Sequence, residues 1–104
     1  MSKRTKINES IKNKCWNELK IKRGVDPNCY RIDKCNNLIH RESYGLNTKM
    51  GWEVDHKKPI SKGGSNNINN LQALQTSQNR DKSNKLNYNY SQQKVKPKGV
   101  NAYL

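Results

Sequence analysis

The chain has 104 residues, and its 21 Lys and Arg against 8 Asp and Glu give a net charge of +13 at pH 7. Hydrophobic residues make up only 31% of the composition and Phe is absent, so the chain can bury one small core and excludes a multidomain protein. No apolar run approaches the about 20 residues that span a bilayer, and no basic helix has the broad apolar face that binds a membrane surface, so no membrane partner is expected.

The excess of positive charge favours a polyanionic partner. Nucleic acid is the leading candidate, because neutralising its phosphates releases counterions and drives binding. An AT-rich genome would explain the preference for Lys and Asn, but it would not explain the shortage of acidic residues. The charge balance therefore predicts a nucleic-acid-binding protein.

The cysteines and the N-terminus predict the compartment. The three cysteines, Cys15, Cys29 and Cys35, are an odd number, which indicates a reducing compartment more than a disulfide framework. The basic N-terminal segment MSKRTKINES lacks the apolar stretch of a signal peptide. We therefore expect an intracellular protein that is not secreted.

The first predicted element is a helix over roughly residues 7–22. Apolar residues recur every four positions from Ile7 to Leu19, which is one face of a helix, and Gly24 suits the position after the helix ends. Residues 1–6 are polar and basic and are expected to form a flexible arm.

Three β-strands are predicted next. Two short β-prone runs, 29–33 and 38–41, flank a polar turn and predict a hairpin. The run GWEVDH, residues 51–56, alternates apolar and polar residues as a half-buried strand does. Pro59 confines this strand to an edge or an end of any ladder, and a glycine-rich turn follows over 62–67.

A second helix is predicted over roughly residues 70–83. Asn69 or Asn70 would be its N-cap, and the apolar residues of the segment 71–74 would form its buried stripe. The chain is thus divided into an arm over 1–6, a domain over 7–84 with its motif core at 51–84, and an irregular basic tail over 85–104.

The residues with catalytic potential lie in the segments WEVDHKKPISKGG, 52–64, and INNLQALQTSQNRDKS, 68–83. A neutral His56 can accept a proton from water at working pH. Asp55 and Asn79 offer a carboxylate and an amide oxygen, which suit a hard cation such as Mg2+. A divalent cation on a phosphodiester stabilises the leaving oxygen, so this set is consistent with phosphodiester hydrolysis.

One geometric condition applies to this set. In a regular strand Asp55 and His56 point to opposite faces, so both can serve one site only if the strand ends or bulges at this point. The following Lys57-Lys58-Pro59 permits such an end.

The two segments resemble the HNH nucleases, and they are especially similar to the HNH domain of RNA-guided CRISPR effector nucleases, where the third motif position is also Asn. The resemblance covers about a third of the chain. It implies an α+β fold of the ββα-metal (His-Me finger) kind, here with an N-terminal helix and an extra β-hairpin as scaffold. Stand-alone relatives occur in phages and large viruses, so a virus-encoded protein is among the expectations.

The resemblance also implies a role for each motif residue. His56 would be the general base, and Asp55 and Asn79 would be metal ligands. Asn70 would hold the loop after the strand by hydrogen-bonding its backbone. Because Asn replaces the His that many relatives have at position 79, the implied metal is Mg2+, which Mn2+ could replace, and not Zn2+.

The chain departs from many small relatives at the positions of a structural zinc site. Those relatives carry two Cys-x-x-Cys pairs, but the second pair is replaced here by Gln75 and Gln78, and five residues separate Cys29 from Cys35. Structural Zn2+ is therefore not expected, and Cys29 and Cys35 are predicted to be small buried residues. The predicted core around them consists of the aromatic residues Trp16, Tyr30 and Trp52.

The sequence as a whole predicts a metal-dependent endonuclease that hydrolyses DNA, most of all duplex DNA. One site would cut one strand, so a double-strand break would need a homodimer or two encounters. A non-catalytic DNA-binding architectural protein on a nuclease fold and a ribonuclease remain alternatives. Six basic residues near the site are expected to contact phosphate: Lys57, Lys58, Lys62, Arg80, Lys82 and Lys85.

Overall fold

The computed structural model describes residues 7–90, so the predicted arm and most of the predicted tail lie outside the described residues. The described chain forms two helices and two small antiparallel sheets, which confirms the predicted α+β class. Among the described residues no helix has the length and apolar character needed to cross a bilayer. In chain order the elements are α1 (Glu9–Asn17), β1 (Tyr30–Ile32), β2 (Leu38–His40), β3 (Trp52–His56), β4 (Leu71–Gln75) and α2 (Thr76–Lys82).

Helix α1 is shorter than predicted. It begins after Asn8, whose side chain caps it by accepting a backbone N–H hydrogen bond, and it ends at Asn17 instead of near residue 22. The chain then becomes extended, and Lys20 exchanges both backbone hydrogen bonds with Ile32, at 2.9 and 3.2 Å. These bonds to the hairpin replace the last predicted turn of the helix.

The predicted first hairpin is present as β1 and β2, and its turn is built around Asp33. The buried carboxylate accepts hydrogen bonds from the backbone N–H groups of Cys35 at 2.9 Å and Asn37 at 2.8 Å. Its second oxygen accepts from the backbone N–H of Gln75 at 2.9 Å. The turn of the first hairpin is thereby tied to the end of β4.

The predicted second helix is wrong over its first half, because residues 71–75 form strand β4. This strand pairs with β3 from Trp52 opposite Gln75 to His56 opposite Leu71. Neither Asn69 nor Asn70 is an N-cap; both belong to a short 3-10 turn before β4, and α2 begins only at Thr76, after Gln75.

The apolar pattern of β4 misled the prediction because both faces of the strand are buried. Leu71 and Ala73 face one side and join the core, whereas Leu74 is fully buried on the other side. Apolar residues on both faces of a short strand abolish the alternation that marks a half-buried strand, and they resemble a helical stripe.

The β3–β4 sheet lies between the two helices. On one face Trp52 and Val54 pack with Trp16 of α1, and the rings of Trp16 and Trp52 are 5.3 Å apart. Both tryptophans are buried as predicted, whereas Tyr30 is only partly buried. The residues that alternate to the other face, Glu53 and Asp55, contact side chains of α2.

The substitution Asp33→Asn is expected to lower the free energy of unfolding by about 2 kcal/mol, because the new amide N–H2 must face a buried backbone donor that the carboxylate now satisfies. Urea denaturation followed by tryptophan fluorescence measures this change. Asp26→Asn is the matched control, since the exposed Asp26 also accepts a backbone hydrogen bond, from Asn28 at 2.9 Å. Equal losses in the two variants would show that the Asp33–Gln75 link is unimportant.

Candidate active site

Asp55 lies on the side of β3 that faces α2, and it is 3% exposed. One carboxylate oxygen accepts a hydrogen bond at 2.8 Å from the side-chain amide of Gln72, its partner across the β3–β4 ladder. The other accepts at 3.3 Å from the ammonium of Lys82. Burial raises the pKa of Asp55, and the Gln72 hydrogen bond and the Lys82 charge oppose that rise.

The position of Lys82 disagrees with its predicted place among the phosphate-binding surface residues. Its side chain is 1% exposed, and its ammonium donates at 2.9 Å to the backbone carbonyl of His56 as well as to Asp55. A cation buried this deeply needs such partners. Lys82 therefore belongs to the interior of the candidate site, where it connects α2 to the end of β3.

His56 is the last residue of β3 and is 4% exposed. Its Nε2 lies 2.8 Å from the side-chain oxygen of Asn66 in the glycine-rich turn. Because an amide oxygen can only accept, we assign the proton to Nε2 and the free lone pair to Nδ1. Nδ1 is buried and has no hydrogen-bond partner among residues 7–90. Sequence reasoning missed Asn66, since no spacing rule distinguishes one Asn in a turn of polar residues.

Asn70 connects the two ends of the loop between β3 and β4. Its side-chain oxygen accepts from the backbone N–H of Lys58 at 2.9 Å, and its amide nitrogen donates to the carbonyls of Lys58 at 3.0 Å and Ser65 at 2.7 Å. Its own carbonyl accepts from the N–H of Lys57 at 2.7 Å, immediately after β3 ends. These contacts hold the loop backbone; the importance of Asn70 for catalysis stays a prediction.

Asn79 faces β3 from α2, and its contact there is with Glu53, which sequence reasoning did not consider. The Asn79 amide nitrogen donates to Glu53 at 3.0 Å, and Arg80 lies 3.7 Å from the same carboxylate. A signal for Glu53 was available, because it stands two residues before Asp55 and so shares its face of the strand.

The structure thus arranges two facing rows of polar side chains. Glu53 and Asp55 form one row on β3, and Asn79 and Lys82, one helical turn apart, form the other row on α2. Asn79 contacts Glu53, and Lys82 contacts Asp55. The two predicted metal ligands therefore belong to surfaces that face each other.

The donor chemistry of Asp55 and Asn79 fits a hard divalent cation. Each carboxylate oxygen of Asp55 has a second lone pair beyond the one that accepts its hydrogen bond from the protein. Asn79 donates to Glu53 through its amide nitrogen, so its amide oxygen is left to act as a ligand. Within residues 7–90 no three His, Cys, Asp or Glu side chains gather as a metal cluster. Burial raises the pKa of the Cys35 thiol to about 12, as expected of a small buried residue.

Five of the six predicted phosphate contacts lie on the surface. Arg80 is 57% exposed at its side chain and also approaches Glu53. The other four are exposed lysines, Lys57, Lys58, Lys62 and Lys85, and their contact with phosphate stays a prediction.

Comparison with known proteins bears on this arrangement directly. The family model of the HNH endonucleases matches residues 33–85, which is just over half of the chain and includes β3, β4 and α2. Neither the curated proteins nor the solved structures gave a match. The matched segment holds all four motif residues, the strand that carries Asp55 and His56 and the helix that carries Asn79. The chain belongs to the HNH endonuclease family and is on that ground a nuclease.

Proposed function

We propose that this protein is a Mg2+-dependent endonuclease that hydrolyses DNA, cutting one strand per active site. The observation that carries the proposal is the packing of α2 against β3, which sets the row of Asn79 opposite that of Asp55, beside the strand end that carries His56. Members of this family act on nucleic acid and generally use a divalent metal. The choice of DNA rests on the resemblance of the motif and on the net charge of +13.

Asp55 and Asn79 would hold the Mg2+ through oxygen atoms, and water would supply its remaining ligands. When bound, the cation supplies stabilisation of the negative charge on the leaving oxygen. Glu53 orients Asn79 for this task. Glu53 accepts a hydrogen bond from the amide nitrogen of Asn79 at 3.0 Å. The amide oxygen, which branches from the same carbon, is therefore directed away from Glu53.

Lys82 is a positioning residue in this mechanism. Its ammonium favours the ionised form of Asp55 in a buried place that otherwise disfavours charge, and its bond to the His56 carbonyl fixes the end of the strand. Asp55 is thereby kept as a carboxylate with a defined direction.

His56 would take the proton of the attacking water at Nδ1, the nitrogen that carries the free lone pair. Since the ring is buried, it has to become accessible before water reaches Nδ1.

The first test of this proposal is the conversion of supercoiled plasmid to the nicked form in Mg2+. We expect His56→Ala to slow nicking by at least about 100-fold, because a general base contributes about 10²–10⁴-fold, and we expect EDTA to abolish it. His40→Ala is the matched control, since it removes the other histidine, which lies on β2, and is expected to nick at the wild-type rate.

Three outcomes would contradict the mechanism or the function. Nicking that survives His56→Ala excludes His56 as the base. Binding of plasmid without nicking by the wild-type protein indicates an architectural protein. Cleavage of RNA in a competition where DNA stays intact indicates a ribonuclease.

The second test concerns the metal. Asp55→Asn and Asn79→Ala are each expected to raise the Mg2+ concentration for half-maximal nicking by at least about tenfold, because the first removes the negative charge of a ligand and the second removes an oxygen ligand. Asn87→Ala, at an exposed position, is the control and should leave the requirement unchanged. Mn2+ should replace Mg2+, and Zn2+ should not. Variants that keep the wild-type Mg2+ requirement would exclude these residues as ligands.

The third test concerns Lys82. We expect Lys82→Met to lower the free energy of unfolding by about 3–5 kcal/mol, because it leaves the Asp55 charge buried without its ion pair. In the double variant Lys82→Met/Asp55→Asn most of this loss should be recovered, since no unpaired charge remains. Urea denaturation measures both, with Lys85→Met at an exposed lysine as control. Strictly additive losses in the double variant would mean that the pair is not coupled.

A further inference from the structure

A cleft of about 810 Å3 opens on the molecule at a place other than the candidate active site. Its walls come from the end of α1, the turn between β1 and β2, and residues 71–73 of β4. None of Asp55, His56 and Asn79 lines it. It is nevertheless adjacent to the site, because Gln72 lines the cleft and donates the 2.8 Å hydrogen bond to Asp55.

The cleft is positively charged. Four lysines line it, against the two acids Glu18 and Asp33, and Asp33 is already engaged by backbone N–H groups. Partial burial lowers the pKa of Lys34, which is otherwise exposed, and the positive charge of Lys57 lowers it further. Such a concentration of charge favours an anionic occupant. The four lysines are Lys14, Lys20, Lys34 and Lys57.

The uncharged residues that line the cleft are not typical of a site that binds only a phosphate ion. Leu19, Ile32 and Leu71 provide apolar surface, and the amides of Asn17 and Asn69 provide both donors and acceptors. Apolar surface suits the faces of unstacked bases, and amides suit their hydrogen-bonding edges. In a duplex the base faces are stacked and the pairing edges are used, so a duplex would contact only the rim.

We propose that this cleft binds an unpaired stretch of the nucleic-acid substrate, with its phosphates on the four lysines and its bases against the apolar and amide lining. The inference rests on the proposed function and specifies the form of its substrate, a strand with a single-stranded extension beside the scissile phosphate. Lys57 follows His56 directly in the chain, and Gln72 contacts Asp55. A nucleic-acid strand bound in the cleft would therefore continue toward the candidate active site.

The experiment is fluorescence anisotropy in EDTA with labelled single-stranded DNA and labelled blunt duplex DNA. The cleft variant is Lys14→Gln/Lys20→Gln/Lys34→Gln, which leaves Lys57 intact because it adjoins His56. The control variant is Lys22→Gln/Arg23→Gln/Lys49→Gln, which removes the same charge from exposed positions outside the cleft lining. Any difference between the variants is therefore due to position and not to net charge.

We expect the cleft variant to lose at least about tenfold in affinity for single-stranded DNA, with a salt slope reduced by about 2, since each phosphate contact contributes about 0.7. Its affinity for the duplex should fall no more than that of the control variant. Thermal unfolding confirms that each variant is folded. If the triple variant is unfolded, Lys34→Gln alone, at an exposed position, should still weaken single-strand binding relative to Lys49→Gln.

Equal weakening by the two variants, or an equal loss for single strand and duplex in the cleft variant, would overturn the inference. Its failure can be distinguished from failure of the proposed function, because binding in EDTA does not depend on cleavage. If the wild-type protein nicks plasmid but the cleft variant binds DNA like the control variant, the inference about the cleft is overturned and the proposed function stands. If the wild-type protein does not nick plasmid but binds single-stranded DNA through the cleft, the proposed function is overturned and the inference about the cleft stands.

Discussion

The hydrogen bond from the backbone N–H of Gln75 to the buried Asp33 carboxylate fixes the point at which β4 ends and α2 begins. The N–H of Thr76 donates to the carbonyl of Gly51 at 2.9 Å and holds the same junction from the other side. The Asp33 carboxylate thereby connects the first hairpin to this junction. The direction of α2, and with it the placement of Asn79, depends on this connection.

The packing of α2 on β3 buries the side chains of Asp55 and Lys82 in the candidate site, and this burial has a cost in free energy. Burying Asp55 and Lys82 together is costly, because an ion pair out of water does not fully recover its desolvation free energy. A hydrophobic pair at these positions would satisfy the fold and leave no carboxylate for a cation. The buried pair is therefore weak evidence for stability, and the metal-binding role proposed for Asp55 offers a reason for a carboxylate at this position.

Sequence reasoning placed Asp55 and His56 at the end of a strand and Asn79 on a helix, and both placements are confirmed because the patterns that predict them are local. It did not recognise β4, since burial of both faces removed the alternation on which a strand prediction depends. It also placed Lys82 at the surface, because a lysine in a basic segment is normally solvated and its buried partner Asp55 lies 27 residues away. Contacts such as that between His56 and Asn66 depend on how the loop folds back, which no residue pattern encodes.

Charge alone gives this protein little means of choosing among nucleic acids. Phosphates are the same in every sequence, so the exposed lysines supply affinity and orientation without selection. Selection requires a shape that admits one form of nucleic acid and excludes another. The cleft along β4, with its lysines and its apolar and amide lining, is the feature that would supply such selection under the single-strand binding proposed above. If a nucleic-acid strand in this cleft continues past Gln72 to Asp55, the structure of the substrate and not its sequence determines where the phosphodiester bond is cut.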